Sequence, residues 1–137
     1  MLNKTLALLI LIFLSPVFVI VVILIVLDDG FPVFFKQKRV GKNHLFFKLY
    51  KFRSMKKNTP NVASHLLLNP KVYTTDIGKV LRKLNIDELP NLINIVKGDI
   101  VFVGPRPALY NQYNLIKLRS ELGILNIKPG LTGWAQI

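Results

Sequence analysis

Between Leu6 and Leu27 the chain carries no ionisable side chain and almost nothing polar, which leaves it few ways to fold. A helix over these residues is about 33 Å long at ~1.5 Å per residue, close to the ~30 Å hydrocarbon core of a bilayer. A cleavable signal peptide would have a shorter apolar part, a more basic start and small residues at its close. Here the run ends Ile25-Val26-Leu27-Asp28-Asp29 with no A-x-A-like site, so it reads as a retained membrane element.

Ser15-Pro16 interrupts this run. Pro16 has no N–H to give the carbonyl of Ile12, and its ring crowds that carbonyl, so the helix must kink or break here. The Ser15 hydroxyl is placed to satisfy the backbone group that the proline frees. Two geometries follow: a kinked span, or a sharp bend that returns the chain to the face it entered. Lys4 stands nearly alone before the run and many cations follow it, which puts the C-terminal side in the cytoplasm. Periodicity leaves spanning and re-entry both open.

With residues 1–29 in the membrane, residues 30–137 make one modest domain. The chain has 19 Lys and Arg against 7 Asp and Glu, a net charge of +12. That excess predicts anionic partners: nucleic acid, acidic lipid head groups or phosphorylated substrates. No cysteine is present, which excludes disulfides, thiolate catalysis and cysteine-ligated zinc. His44 and His65 lack metal-motif spacing and read as loop residues.

Asp28 to Pro32 forms a turn, and Val33 to Tyr50 reads as two β-prone runs around Gly41-Lys42-Asn43, a short hairpin. From Lys36 to Lys57 every charged side chain is Lys or Arg, with Phe46, Phe47, Tyr50 and Phe52 interleaved. Such a strip suits nucleic acid or a membrane interface. Directly after a membrane segment, it favours anionic head groups plus a phosphorylated ligand. A polar loop with a short helical piece is expected at 58–70, and helices over Thr75–Leu84 and Leu89–Val96, the second closed by Gly98. Asp99–Val103 reads as a short strand running into Gly104-Pro105-Arg106-Pro107. Ala108–Leu122 reads as a helix closed by Gly123, and Lys128–Trp134 as a turn before an amphipathic end. The fold class is α+β, mainly helical, with one small β hairpin.

Two of the few acids stand side by side in Asn85-Ile86-Asp87-Glu88-Leu89-Pro90. One reading is helix capping, with Asn85 as N-cap and Glu88 as its capping-box partner, or with Pro90 as the first helical residue. Either places the carboxylates near the positive end of a helix dipole, which lowers their pKa. Capping accounts for Glu88 but not for an aspartate beside it. The functional reading is a metal-assisted nucleophile. A carboxylate approaches a phosphoryl group only when anion repulsion is relieved, and that repulsion is about 4 kcal/mol per pair at ~4 Å and a dielectric of ~20. A magnesium ion held by Asp87, Glu88 and phosphate oxygens relieves much of it, and guanidinium groups relieve more. Arg106, between two prolines, presents its planar fork with little freedom left to lose, and Arg82 lies just upstream of the pair.

One ordered series spans nearly the whole chain. It comprises Leu14-Ser15-Pro16, Tyr50-Lys51-Phe52-Arg53-Ser54-Met55, Asp87-Glu88-Leu89-Pro90, Lys97-Gly98-Asp99, Gly104-Pro105-Arg106-Pro107 and Lys128-Pro129-Gly130-Leu131-Thr132-Gly133-Trp134-Ala135-Gln136. The series resembles the bacterial sugar transferases, the monotopic polyprenyl-phosphate phosphoglycosyl transferases. The resemblance implies magnesium-dependent transfer of a sugar 1-phosphate from a nucleotide diphosphate sugar to a polyprenyl phosphate, initiating surface polysaccharide or glycan synthesis. It implies Asp87 as nucleophile of a covalent phosphosugar intermediate and Glu88 as metal ligand or acid/base. Arg82, Arg106, Lys51 and Arg53 are the phosphate-binding residues it implies. It also implies re-entry at Ser15-Pro16 and a catalytic part on the cytoplasmic face of the bacterial inner membrane, against acidic lipid, with no nucleic-acid partner.

Two departures from the family pattern stand out. Asn3 falls about where family members carry an aspartate ahead of the apolar run. The pattern also continues past Gly133-Trp134-Ala135-Gln136 with further basic residues, so a C-terminally truncated chain is expected. Two readings compete: an inactive membrane-associated remnant or binding module, and a membrane-anchored basic protein that binds acidic lipid or nucleic acid.

Overall fold

The computed structural model describes residues 1–60, 62 and 66–133. Its elements are α1 (Leu2–Phe13), α2 (Ser15–Asp29), β1 (Phe34–Val40), β2 (Phe46–Phe52), α3 (Pro70–Tyr73), α4 (Asp76–Lys83), α5 (Asn91–Lys97), β3 (Val101–Val103), α6 (Tyr113–Glu121) and β4 (Gly130–Thr132). Short 3-10 turns stand at Lys42–His44, Ile86–Glu88 and Ile124–Asn126. The chain is thus α+β, and it gathers into two units: residues 1–12, 36–50 and 91–137 in the first, residues 13–35 and 51–90 in the second.

The apolar run breaks where the proline requires. α1 stops at Phe13, Leu14 takes φ −87° and ψ 2°, and α2 restarts at Ser15 with Pro16 in its first turn, where no N–H is needed. Among the described residues no single helix is long and apolar enough to cross a membrane; α1 and α2 reach that length and composition only together, as a bent pair. α2 is apolar all round. Val17, Phe18, Val21, Val22, Ile25 and Val26 lie in or against a core, while Val19, Ile20, Ile23, Leu24 and Leu27 are exposed. A helix of that kind is at home in a core or in lipid, and here only one side has a core.

The second unit builds its core on that inner side. Val21 and Ile25 are buried with Val33, Phe52 and Leu81, and Ile77, Ile86 and Leu89 pack against them. Phe52 is 1% exposed, its ring 5.1 Å from that of Phe18 and 5.4 Å from that of Phe34. α4 lies within the helix expected over Thr75–Leu84, and the Thr75 hydroxyl caps it by accepting the Gly78 N–H at 2.9 Å. Gly78 admits no side chain, since a Cβ there would stand 2.0 Å from the Ser54 carbonyl oxygen.

β1 and β2 form the expected hairpin. In the first unit its loop turns at Asn43 and His44, both with positive φ, and the Gly41 N–H meets the Leu45 carbonyl at 2.7 Å. Asn94, fully buried, takes the place of a neighbouring strand: it accepts the Tyr50 N–H at 3.0 Å and donates to the Lys48 carbonyl at 2.8 Å. His44 is an exposed loop residue, its Nε2 3.2 Å from Ser120 Oγ. His65 and Trp134-Ala135-Gln136 lie outside the described residues.

Three expectations are corrected in this unit. Lys128–Trp134 contains more than a turn, because Gly130–Thr132 forms β4, parallel to β3 with Val101 opposite Gly130 and Val103 opposite Thr132. A three-residue strand has too little alternation to declare itself in a sequence. The helix read from Ala108 begins only at Tyr113, because Ala108 and Leu109 are buried and pair with β1: the Val40 N–H reaches the Ala108 carbonyl at 2.9 Å, and Arg39 bridges Leu109. The helix read from Leu89 begins at Asn91, and Gly98, at φ 90°, closes it as expected.

Phe52→Ala is expected to lower the unfolding free energy by about 3–5 kcal/mol, through lost transfer energy and the cavity left behind. Leu118→Ala, at an exposed site on α6, should stay within about 0.5 kcal/mol of the parent. Thermal denaturation in detergent micelles measures both, and equal shifts would contradict the core described here.

Candidate functional site

Asp87 and Glu88 sit in the 3-10 turn Ile86–Glu88. Asn85 enters it at φ 55° and ψ 20°, a left-handed conformation that asparagine tolerates, and makes no side-chain cap. The capping-box reading of Asn85 and Glu88 is thereby corrected. Backbone bonds hold the turn instead, from the Glu88 N–H to the Asn85 carbonyl at 3.3 Å and from the Leu89 N–H to the Ile86 carbonyl at 3.1 Å. Residues three apart in such a turn share a side. Ile86 and Leu89 therefore both pack on the core that α2 helps to build, and they staple the two acids between them.

The charges are arranged within the second unit. Glu88 Oε1 receives the Lys51 ammonium at 2.6 Å, with the two side chains 25% and 16% exposed. Asp87 is 7% exposed. Burial pushes its carboxyl above the ordinary aspartate range; the Lys51 ammonium opposes that shift, Glu88 adds to it, and Arg82 opposes it. The expectation of a carboxyl lowered by a helix end is corrected here, because desolvation outweighs the rest. Chemically this is a more basic carboxylate than a solvated one, flanked by two cations that can meet incoming phosphate.

Arg82 is anchored through its Nε to Ser54 Oγ at 3.0 Å. Arg53 points elsewhere: its Nη2 donates to the Asp29 and Gly30 carbonyls at 3.0 and 2.7 Å and pairs with Asp29 Oδ2 at 3.1 Å. It therefore closes the end of α2, and its buried Nε and Nη1 have no hydrogen-bond partner among the described residues. Arg106 belongs to the first unit. Its loop is pinned by Gly104 N–H to the Thr132 carbonyl at 2.9 Å and Gly130 N–H to the Pro105 carbonyl at 3.0 Å, and its own carbonyl accepts from Arg119. Ser15 and Pro16 stand at the helix break, apart in sequence from these groups.

The cations of the basic strip take different partners. Lys36 and Lys38 lie over the rings of Tyr50 and Phe46, 5.7 and 4.2 Å from their centroids, whereas Lys51 and Arg53 turn to acids. Reading the sequence missed Ser54, Asp28 and Asp29. Asp28 Oδ2 accepts the Ile77 N–H at 3.0 Å, in the first turn of α4. The available signal was an acid pair closing an apolar helix in a chain so short of acids.

Among the described residues no three of His, Cys, Asp and Glu converge. Asp87 and Glu88 bring two carboxylates to one turn, the number a magnesium ion uses when phosphate and water oxygens complete its shell. Lys51 already holds a cation against one of them. The donor set fits such an ion.

The sequence profile described as bacterial sugar transferase matches residues 1–137. The chain is 42% identical over 123 residues to the uncharacterized sugar transferase EpsL of Bacillus subtilis, covering 90% of this chain and 59% of that protein. It is 38% identical over 125 residues to the UDP-N-acetylgalactosamine-undecaprenyl-phosphate N-acetylgalactosaminephosphotransferase of Aeromonas hydrophila, covering 90% of this chain and 30% of that protein. It is 38% identical over 136 residues to the UDP-glucose:undecaprenyl-phosphate glucose-1-phosphate transferase of Escherichia coli, covering 96% and 29%. The chain spans less than two thirds of the length of each.

Lys51→Met removes the ion pair to a partly buried Glu88 and is expected to cost about 1–3 kcal/mol of stability, with Lys51→Arg retaining most of it. Thermal melts at pH 7 read this out. A Lys51→Met chain as stable as the parent would contradict the pairing.

Proposed function

The chain belongs to the bacterial sugar transferase family, and on that premise we propose that it transfers a sugar 1-phosphate from a nucleotide diphosphate sugar to a polyprenyl phosphate. The observation that carries this reading is the buried Asp87, set between Lys51-paired Glu88 and Arg82 on a core shared with an apolar helix. Names of relatives support it, because those of Aeromonas hydrophila and Escherichia coli state undecaprenyl phosphate and a UDP-sugar.

In the first step an Asp87 carboxylate oxygen attacks the phosphorus that bears the sugar. A P–O bond forms to Asp87, the bond to the bridging oxygen breaks, and the nucleoside monophosphate leaves with that electron pair. In the second step a phosphate oxygen of the polyprenyl phosphate attacks the same phosphorus. The product is a sugar diphosphate lipid, and the Asp87 carboxylate is regenerated without net proton change. Lys51 and Arg82 offset the negative charge that gathers when phosphate approaches two carboxylates. Lys51 leaves Glu88 for phosphate as the donor binds. Asp87 and Glu88 would hold a magnesium ion, which would neutralise phosphate oxygens.

The location we propose is the cytoplasmic leaflet of the bacterial inner membrane, rich in acidic lipid, with α1 and α2 entering and leaving on one face and residues 30–137 outside it. The exposed apolar side of α2 supports this, as does the bend between α1 and α2, which reach the length of a span only together.

The test uses radiolabelled UDP-glucose and UDP-N-acetylgalactosamine with magnesium and detergent-solubilised protein. The wild type is expected to retain label through denaturation, and Asp87→Asn to retain none, a loss on the order of 10⁴-fold or more in turnover. Folded wild type that stays unlabelled with both donors would leave a binding module, and label on Asp87→Asn would remove Asp87 from the role.

A further inference from the structure

We infer that Asp28 and Asp29 are positioning residues that fix the height of the catalytic turn relative to the lipid, acting through Arg53 and α4. The inference rests on the transfer reading above and adds a division of labour between its two steps.

The connections all lie within the second unit. Asp28 Oδ2 accepts the Ile77 N–H at 3.0 Å, and Asp29 Oδ2 pairs with Arg53 Nη2 at 3.1 Å. The same Arg53 nitrogen takes up the Asp29 and Gly30 carbonyls, groups that a helix end leaves without intrahelical partners. Ser54 follows at once. Its hydroxyl accepts from Arg82 Nε at 3.0 Å, its carbonyl accepts the Thr75 N–H at 3.2 Å, and that carbonyl leaves no room for a Cβ on Gly78. On the apolar side Val21 and Ile25 of α2 share a core with Leu81 of α4 and with Ile86 and Leu89, which bracket Asp87 and Glu88.

Carboxylates are costly in hydrocarbon, so the last turn of α2 must stand at the water boundary. Two acids in that turn then tie it to the helix carrying Arg82 and, through the shared core, to the turn carrying Asp87. Any slack there would tilt or raise the catalytic turn against the bilayer. A donor dissolved in water can follow such a shift, but a phosphate tethered to a long lipid cannot. The clamp should therefore matter for transfer to the lipid and not for capture of the sugar phosphate.

The test compares wild type, Asp29→Asn and Asp28→Ala in nanodiscs of phosphatidylethanolamine and phosphatidylglycerol loaded with undecaprenyl phosphate. A parallel series uses detergent and a short-chain polyprenyl phosphate. Labelling from the nucleotide sugar, and transfer to the short acceptor, should stay within about twofold of wild type in both variants. Transfer to the long acceptor in the bilayer should fall about tenfold or more. Equal losses in all three measurements would mean a purely structural role and would overturn the inference, as would no loss in any. Should Asp29→Asn melt well below wild type, Asp28→Ala, which removes one contact to a backbone N–H, decides alone. Wild type that never labels is a different failure, since it removes the transfer reading itself.

Discussion

The burial of one side of α2 against Phe52, Leu81 and Val33 is the contact on which the placement of the Asp87–Glu88 turn depends. Val21 and Ile25 are buried there, and the same core receives Ile86 and Leu89 from the turn that bears the acids. An apolar helix and a pair of carboxylates would ordinarily seek opposite environments. Here three-residue spacing in a 3-10 turn resolves the conflict, because Ile86 and Leu89 go into the core and leave Asp87 and Glu88 between them at its margin.

Charge is distributed with similar economy. In a chain of net charge +12, Asp28, Asp29, Asp76, Glu88 and Asp99 each meet a donor: the Ile77 N–H, Arg53, Lys79, Lys51 and Lys97. Asp76 with Lys79 is exposed and contributes little. Those of Asp29 and Glu88 are partly shielded, and they fix the end of α2 and the turn Ile86–Glu88. Asp87 differs from all of these in having its carboxyl pushed upward by burial. Desolvation of one acid beside anchored cations is a costly arrangement for a fold, and it accords with the reading of Asp87 as the group that meets phosphate.

What the sequence made legible was what local backbone chemistry governs. The break at Pro16, the hairpin around Gly41-Lys42-Asn43, the helix near Thr75–Leu84 and the closing glycine at Gly98 follow from residues acting on near neighbours. The features that escaped depend on distant partners. β4 exists because Gly104 and Gly130 let two backbones approach, and α6 starts late because Ala108 and Leu109 are drawn to β1. At the site, Asp87 and Glu88 were legible as an acid pair, and Lys51 and Arg82 gather beside them. Arg53 was diverted to the end of α2, because the carbonyls of Asp29 and Gly30 lie many residues away in sequence and leave no local mark.

The proposed transfer at a lipid boundary requires that the bent pair α1 and α2 dip into one leaflet and return. Because the chain lacks cysteine, single cysteines at Leu6, Leu9, Phe13, Ile20 and Leu27, all exposed, can be spin-labelled cleanly. Their depth in a bilayer can then be read by power saturation with oxygen and a water-soluble relaxant. The account predicts the deepest label at Phe13, beside the break, with depth falling towards both Leu6 and Leu27. Depth that changes steadily from Leu6 to Leu27, or labels equally open to the water-soluble relaxant throughout, would contradict it.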